Sequence, residues 1–494
     1  MNTEQQAERV SFFTLDEGVK AYFTLRNFLV LIGIYLLGYS SLIVSNFYYA
    51  DDHVRRLNGG IAYREVGRVS SEYVIRLWNF SESMLDAAPL FQLYAILLLA
   101  GLSLMLCALL RVRRSYLTLA TAAFTGLFPL LYGNMVYTVD APFMIASLLV
   151  AVFPFLCLNN KRLFLLSSLL SGFLVLTFYQ LSFTAYYITW LIIMMDRMIS
   201  RERIVFKQFF IAAAFFFAGM LIYKFSFPEL ENVGAVKTGI HFSSGFLPGL
   251  WANFLAYLKF TIRLLDVANL VVIAVCVLFF ALSVYKRTQR NIGITGLLVF
   301  GVLLLVVVLT AGPYIYLAEL PEMKVRYYIV LSFAIGLLAI YGMKSNYKIA
   351  GVTNVLILMY FLNLANGYGN ALKAKNNYRE SIYREFVYDF KQIVNDQPYE
   401  LYEVRRVPGT RDPRLFNTDS TPYQGKRHHN KIITALVRDM DIGFDQLNLE
   451  AFIQPVYGKT ELYDESRPFT LLMSRPEYDL YFDGRTAYKV IFKY

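Results

Sequence analysis

Apolar residues run in stretches of about 17 to 20 along the first three quarters of the chain, each long enough to cross roughly 30 Å of hydrocarbon as a helix. The stretches fall near residues 28–46, 91–110, 116–133, 142–158, 163–179, 181–195, 206–223, 268–285, 292–310, 327–343 and 349–366. Short polar segments separate them. The pattern predicts a mainly α, polytopic membrane protein of about eleven transmembrane helices.

Past residue 370 the pattern changes. Residues 371–494 hold 19 Lys and Arg against 18 Asp and Glu, half of the 36 acids in the chain, as expected of a water-facing domain. It opens on "NNYRESIYREFVYDFKQIVND", where Ile382, Phe386, Phe390 and Ile393 recur at helical spacing. It closes on "YDLYF", Asp483-Gly484 and "RTAYKVIFKY", a type I′ hairpin signal between alternating apolar residues. Two domains are therefore expected: a membrane domain over 1–370 and an α/β domain over 371–494.

Composition sharpens this without redirecting it. The chain is 57% hydrophobic and 17% charged, with a mean hydropathy of +0.45. Its net charge of +11 sits in short clusters between apolar runs rather than along one face, which points to lipid and topology and away from nucleic acid. Cys107, Cys157 and Cys276 all lie inside predicted spans, so neither a disulfide framework nor a zinc site follows. The first residues contain acids and no apolar core, so the first span reads as an uncleaved anchor rather than a signal peptide.

Loop charge sets the orientation. "RVRR" at 111, "NNKR" at 159, "DRMISRERIVFK" at 196, "KRTQR" at 286 and "KSNYK" at 344 share one side, which makes that side, with the N-terminus, cytoplasmic. Segments 47–90, 132–141, 224–267, 311–326 and everything after about 367 are then external. The first of these carries Arg55, Arg56, Arg64, Arg68 and Arg76 against the bias, interleaved with Asp51, Asp52, Glu65, Glu72, Glu82 and Asp86. Such interleaving suits pairing and ligand contact.

Candidate chemistry concentrates in these external loops. Asp51 and Asp52 follow the first span, where water begins and a carboxylate stays ionised beside Arg55 or Arg56. A general base and a helix-end charge pair are both open readings, and a metal site with His53 is a third. Arg68 after Gly67 suits a phosphate or a snorkelling role. Asp140 precedes Pro142 at the start of a span, where capping is the stronger reading. Tyr179 and Gln180 form a tight external turn able to face sugar hydroxyls or the interfacial belt. Near Glu319 and Glu322, Lys324 and Arg326 are external cations suited to an anion such as a lipid phosphate. No Walker loop, HExxH or serine triad spacing is present. With no cytosolic catalytic domain, an activated sugar donor would have to be lipid-borne.

"NFYYADDHVRR" after the first span, "GR" at 67, "VDAP" at 139, "YQ" at 179 and "KVRYY" at 324 together resemble the GT-C class of integral-membrane glycosyltransferases. Within that class they are similar to the Gtr type II family of serotype-converting O-antigen glucosyltransferases. The likeness spans roughly residues 25–370. It implies an inverting transfer of a sugar, usually glucose, from a polyprenyl-phosphate donor to a lipopolysaccharide O-antigen acceptor. It further implies an aspartate of the first external loop as base, Asp52 favoured over Asp51. Arg68, Lys324 and Arg326 become donor-phosphate ligands, and Asp140, Tyr179 and Gln180 substrate contacts. No cofactor is assigned and a divalent cation stays open, with no metal ligand named. The expected setting is the bacterial inner membrane, N-terminus cytoplasmic and C-terminus periplasmic. The rival readings are a polytopic transporter or lipid-linked sugar flippase, and a non-catalytic envelope scaffold.

Overall fold

The computed structural model describes residues 17–49, 52, 55, 59–61, 63–200, 206–227, 246–288, 291–317, 324–345, 347–394, 400–404, 469–476, 478–484 and 487–492. Its helices, in chain order, are α1 (Leu25–Ser45), α2 (Val69–Asn79), α3 (Leu90–Leu110), α4 (Tyr116–Leu127), α5 (Pro129–Met135), α6 (Ala141–Cys157, ending in a 3₁₀ turn) and α7 (Lys161–Phe178). There follow α8 (Thr184–Ile199), α9 (Phe206–Ser226), α10 (Phe246–Leu264), α11 (Val267–Arg287), α12 (Ile292–Ala311), α13 (Val325–Ser345, opening in a 3₁₀ turn) and α14 (Lys348–Val394).

Among the described residues eight helices are long and apolar enough to cross a membrane: α1, α3, α7, α9, α11, α12, α13 and α14. A ninth is reached if α4 and α5 count as one span bent by 44°. The remaining predicted spans fall short for a physical reason. α8 has 16 residues, about 24 Å of helix, less than the roughly 30 Å of hydrocarbon. α6 gives way after 12 residues to a 3₁₀ turn that contains Pro154. Between α4 and α5, Pro129 lacks the N–H needed to continue a helix, and Phe128 before it is extended at ψ 131°. Conversely, α10 is a 19-residue helix that hydropathy alone does not single out, because Pro248, Lys259 and Arg263 dilute its apolar face.

Polar groups inside the bundle are tied to one another. The Thr24 hydroxyl caps α1 by accepting from the Asn27 N–H, and Asn46 ends it in the left-handed conformation. The Tyr35 hydroxyl meets Ser103 Oγ at 2.7 Å, joining α1 to α3, and the Tyr39 hydroxyl donates to the Gly126 carbonyl in α4. Small residues permit the closest approaches. A Cβ on Gly172 of α7 would strike the Phe216 carbonyl, and one on Gly219 of α9 the Leu169 carbonyl.

The bundle core extends to Leu372 in α14. The later part of the same helix enters a second core, in which Ile382, Phe386 and Phe390 pack with Tyr478, Leu480 and Val490 of a sheet. Its strands are β1 (Glu400–Val404), β2 (Thr470–Ser474), β3 (Tyr478–Phe482) and β4 (Ala487–Phe492), in the order β1-β4-β3-β2. β1 runs parallel to β4, and the other pairs are antiparallel. β3 and β4 pair as an antiparallel hairpin with Gly484 at φ 78°, but Phe482 pairs with Tyr488, a register that a two-residue turn at Asp483-Gly484 does not give.

The α7–α9 contact carries a prediction. Gly172→Val forces a side chain into the backbone of α9 and should destabilise the bundle by about 2 kcal/mol, lowering the thermal midpoint in detergent by several degrees. Gly301→Ala in α12, with nothing within 4 Å of its added Cβ, should leave the midpoint unchanged or slightly raised.

Candidate active site

One end of the bundle gathers polar segments that the sequence keeps far apart. α1 and α7 finish there, and α3 and α6 start there. Asp52 follows the end of α1, Asp140 precedes α6, Tyr179 and Gln180 follow α7, and Arg326 opens α13. Between α1 and α3 the chain folds back as a cap: Ile61, Tyr63, Ile75, Met84 and Phe91 pack with Val139 and Phe143, and Trp78 stacks on Phe91 and Phe143.

Asp140 is the hub. Its Oδ1 accepts from Arg55 Nη1 at 2.7 Å and from the Tyr63 hydroxyl, and its Oδ2 accepts from Arg68 Nη1 at 3.1 Å. The side chain is 1% exposed and makes no capping hydrogen bond to α6, so the capping role favoured from sequence is not what its carboxylate does. Burial by itself raises the Asp140 carboxyl, but Arg55 and Arg68, with the Tyr63 hydroxyl, outweigh it and hold the group below its ordinary value.

Asp52 is fully buried beside it. Its Oδ2 accepts from the Thr138 hydroxyl at 3.2 Å and the Val139 N–H at 3.1 Å, while its Oδ1 faces Arg55 Nη1 at 3.4 Å. One arginine nitrogen thus sits between two carboxylates from segments 88 residues apart, nearer to Asp140. The Arg55 guanidinium also lies 4.2 Å from the centre of the Tyr63 ring. Asp51, His53 and Arg56 lie outside the described residues, as do Glu319 and Glu322.

The turn before α2 aims Arg68. Gly67 at φ 76° allows the reversal, and the Arg68 N–H closes it on the Tyr63 carbonyl at 2.9 Å. Gln180 Nε2 donates to the Val66 carbonyl at 2.9 Å and the Tyr223 hydroxyl to the Gly67 carbonyl at 3.1 Å. Gln180 therefore braces this turn. The Arg68 guanidinium lies 4.9 Å from the Tyr179 ring centre. Arg68 Nε and the Tyr179 hydroxyl are both buried, and among the described residues neither has a hydrogen-bond partner.

Arg326 is fixed from its backbone. Asn134 Nδ2 donates to its carbonyl at 3.1 Å, and Gly133 lies so close that a Cβ there would meet the Arg326 nitrogen at 2.7 Å. Its guanidinium donates to the Tyr137 hydroxyl, and the Tyr137 ring meets Tyr49 edge-on at 4.8 Å. Tyr49 in turn accepts the Asp52 N–H at its carbonyl. Lys324 is half-buried two residues earlier and joins neither aspartate by an ion pair among the described residues. No group of three His, Cys, Asp or Glu side chains placed to hold a metal occurs among the described residues.

Residues 40–343, more than half of the chain, match the family model described as Glucosyl transferase GtrII. The chain belongs to that family. The match spans the whole polar cluster, from Asp52 to Arg326, and stops before α14 and the sheet. No curated protein and no solved structure matches the chain. As a GtrII glucosyltransferase family member rich in apolar helices, it is a multi-pass membrane protein of the glycosyltransferase type.

Sequence reasoning missed Tyr63, Tyr137, Thr138 and Tyr223. A tyrosine beside an arginine-rich loop has no spacing signature, because its partner arrives through the fold from Asp140 or Arg326. The depressed Asp140 ionisation yields a prediction. A carboxyl lowered on folding contributes stability that is full above its unfolded value near 3.8 and fades as pH falls below that. The thermal midpoint should therefore drop as pH falls from about 4 toward about 2, and Asp140→Asn should show a lower midpoint at pH 7 with a shallower drop, read by thermal unfolding in detergent.

Proposed function

We propose that this protein is an inverting glycosyltransferase that moves a sugar, glucose in the family reading, from a polyprenyl-phosphate donor to a lipopolysaccharide O-antigen or related surface polysaccharide. The observation that carries the reading is the pair of orphaned buried donors, Arg68 Nε and the Tyr179 hydroxyl, beside a buried aspartate pair in a GtrII family chain. Unfilled donors at a cationic site fit the oxygens of a phosphate.

Asp52 serves as the general base. Asp140 has both oxygens taken by arginine and is a poor proton acceptor. Asp52 gives its Oδ2 to two neutral donors and stands farther from Arg55 than Asp140 does. It takes the proton of the acceptor hydroxyl as that oxygen attacks the anomeric carbon opposite the leaving phosphate. Arg68, Lys324 and Arg326 hold the phosphate and stabilise the charge it gains as the bond breaks. Tyr179 contacts donor, while Asp140 and Gln180 act by holding Arg55, Arg68 and the turn at 64–67. A divalent cation is not needed by this scheme.

The reading keeps eleven crossings, with α6, α8 and the bent α4–α5 as short or broken spans supported by their neighbours. With the basic loops taken as cytoplasmic, the reading puts the N-terminus in the cytoplasm of a bacterial inner membrane and the cluster and the 371–494 domain on the periplasmic side, where the domain helps to seat the acceptor. The transporter reading is weaker, because the charged cluster closes one end of the bundle instead of lining a path through it.

The test is made in the host. Asp52→Asn keeps an acceptor for Thr138 and Val139 and so should fold, yet hexose addition to O-antigen repeat units, weighed by mass spectrometry at matched membrane levels, should fall by roughly 10²-fold or more. Asp51→Asn should retain addition. If both variants add the hexose as the wild type does, the base assignment is wrong.

A further inference from the structure

Arg68 and Arg326, two of the cations placed on the donor phosphate, are linked by a run of side chains of which the scheme above uses only Tyr179. The Arg68 guanidinium lies 4.9 Å from the Tyr179 ring centre, and a 3₁₀ turn at Gln180–Ser182 leads from Tyr179 to Thr184 at the start of α8. Thr184 Oγ1 borders Gly312, 3.7 Å from where a Cβ on that glycine would sit. Among the described residues, chain neighbours aside, no other atom comes within 4 Å of that position. Gly312 opens a 3₁₀ turn (Gly312–Tyr316) at φ 55°. Asn253 of α10 pins this turn, its Nδ2 donating to the Ile315 carbonyl at 3.2 Å and the Leu317 carbonyl at 2.7 Å. From the turn the Tyr314 ring meets the Tyr327 ring at 5.1 Å, and the Arg326 guanidinium lies 5.5 Å from the Tyr327 ring centre.

Thr184 is the odd member of this run. Its hydroxyl is buried and, among the described residues, has no hydrogen-bond partner. Thr177, Thr189 and Thr310, in α7, α8 and α12, satisfy theirs by donating to a carbonyl three or four residues earlier, and Thr184 does not. A buried hydroxyl without a partner is costly, so its place beside the room at Gly312 calls for a ligand group to meet it. Tyr327 is half-buried, which leaves part of its ring accessible, while Tyr314 is buried and backs it.

We propose that Tyr327, backed by Tyr314, and the Thr184 hydroxyl form the seat of the donor's hexose ring, with the tyrosine against a C–H face of the sugar and Thr184 Oγ1 on one of its hydroxyls. This rests on the reading of the cluster as the site of a polyprenyl-phosphate sugar. A sugar bonded directly to a phosphate lies within one ring's reach of the arginines that hold that phosphate, and this wall starts at both of them. Ligand sites combine apolar and aromatic surface with a few fixed polar groups, and a fixed hydroxyl separates hexoses by where their own hydroxyls point. A polyprenyl chain offers nothing to a buried hydroxyl, which favours the sugar over the lipid tail as occupant. Thr184 and Tyr327 are thereby specificity-determining residues for the donor.

The experiment titrates the purified full-length protein in detergent with polyprenyl-phosphate glucose and, separately, with bare polyprenyl phosphate. Thr184→Val keeps the side-chain shape without the hydroxyl, and Thr184→Ser keeps the hydroxyl. Tyr327→Leu removes the ring, and Tyr327→Phe keeps it. Thr184→Val and Tyr327→Leu should weaken binding of the glucosylated lipid roughly tenfold and leave bare polyprenyl phosphate unchanged. Thr184→Ser and Tyr327→Phe should bind both lipids as the wild type does. Thermal midpoints are read alongside; should Thr184→Val or Tyr327→Leu not keep the wild-type value, Thr184→Ala or Tyr327→Met is read in its place, with the same loss expected. Wild-type binding of the glucosylated lipid by folded Thr184 and Tyr327 variants overturns the sugar seat and leaves the reading of the cluster standing. Equal loss for both lipids also overturns it, since these side chains would then serve the phosphate, the tail or the fold. If the wild-type protein binds neither lipid, the reading of the cluster falls and the sugar seat falls with it.

Discussion

Two buried carboxylates cannot stay ionised side by side without cations between them, and the placement of Arg55 and Arg68 around Asp140 and Asp52 is the constraint on which this end of the protein depends. Removing charge from water costs several kcal/mol per ion, so each member must be met with good geometry or the cluster would neutralise or open. Asp140 is met three times over, by two guanidinium groups and a tyrosine hydroxyl. That satisfaction fixes Arg55, Tyr63 and Arg68 at the start of α6, beside the contacts of Asp52 with Thr138 and Val139. The same pairing occupies both oxygens of Asp140, which is why the proton is proposed to go to Asp52.

The breaks in the bundle serve this arrangement. α4 bends into α5 at Phe128–Pro129, α6 is short, and Tyr179 interrupts the step from α7 to the next turn in an extended conformation. Each break lets chain end inside the protein and present polar side chains at a defined depth. Continuous spans would carry those side chains into lipid. Gly133 and Asn134 at the end of α5 show the packing consequence, since they hold the backbone of Arg326 against the cluster. Irregular backbone at membrane depth is tolerated where protein covers it, and at the α4–α5 break Phe128, Leu130 and Leu131 are fully buried in the bundle core.

Hydropathy made most of the fold legible, because a helix facing lipid must be apolar over its whole length. The spans at 28–46, 91–110, 268–285 and 292–310 appear as helices within a few residues of expectation. It was least informative at α10, whose diluted apolar face resembles a loop, and at α4–α5, where apolarity continues through a break that only Pro129 marks. In the cluster, charge against the topological bias drew attention to Arg55, Arg68 and Arg326, which the fold brings to one end of the bundle. Local spacing read Asp140 as a cap and gave no sign of the bond from Gln180 to Val66, because the partners Arg55, Arg68 and Val66 are more than 70 residues away in sequence. Side chains whose purpose lies in a distant partner leave no local signal.

The central claim is a division of labour: Asp140 builds the cluster and Asp52 accepts the proton. It is tested most directly by measuring hexose transfer from a polyprenyl-phosphate donor by purified Asp52→Asn and Asp140→Asn proteins, alongside their thermal midpoints. The account predicts that Asp52→Asn keeps the wild-type midpoint while transfer falls by roughly 10²-fold or more, and that Asp140→Asn loses about 3 kcal/mol of stability. Wild-type transfer by a folded Asp52→Asn protein would contradict it.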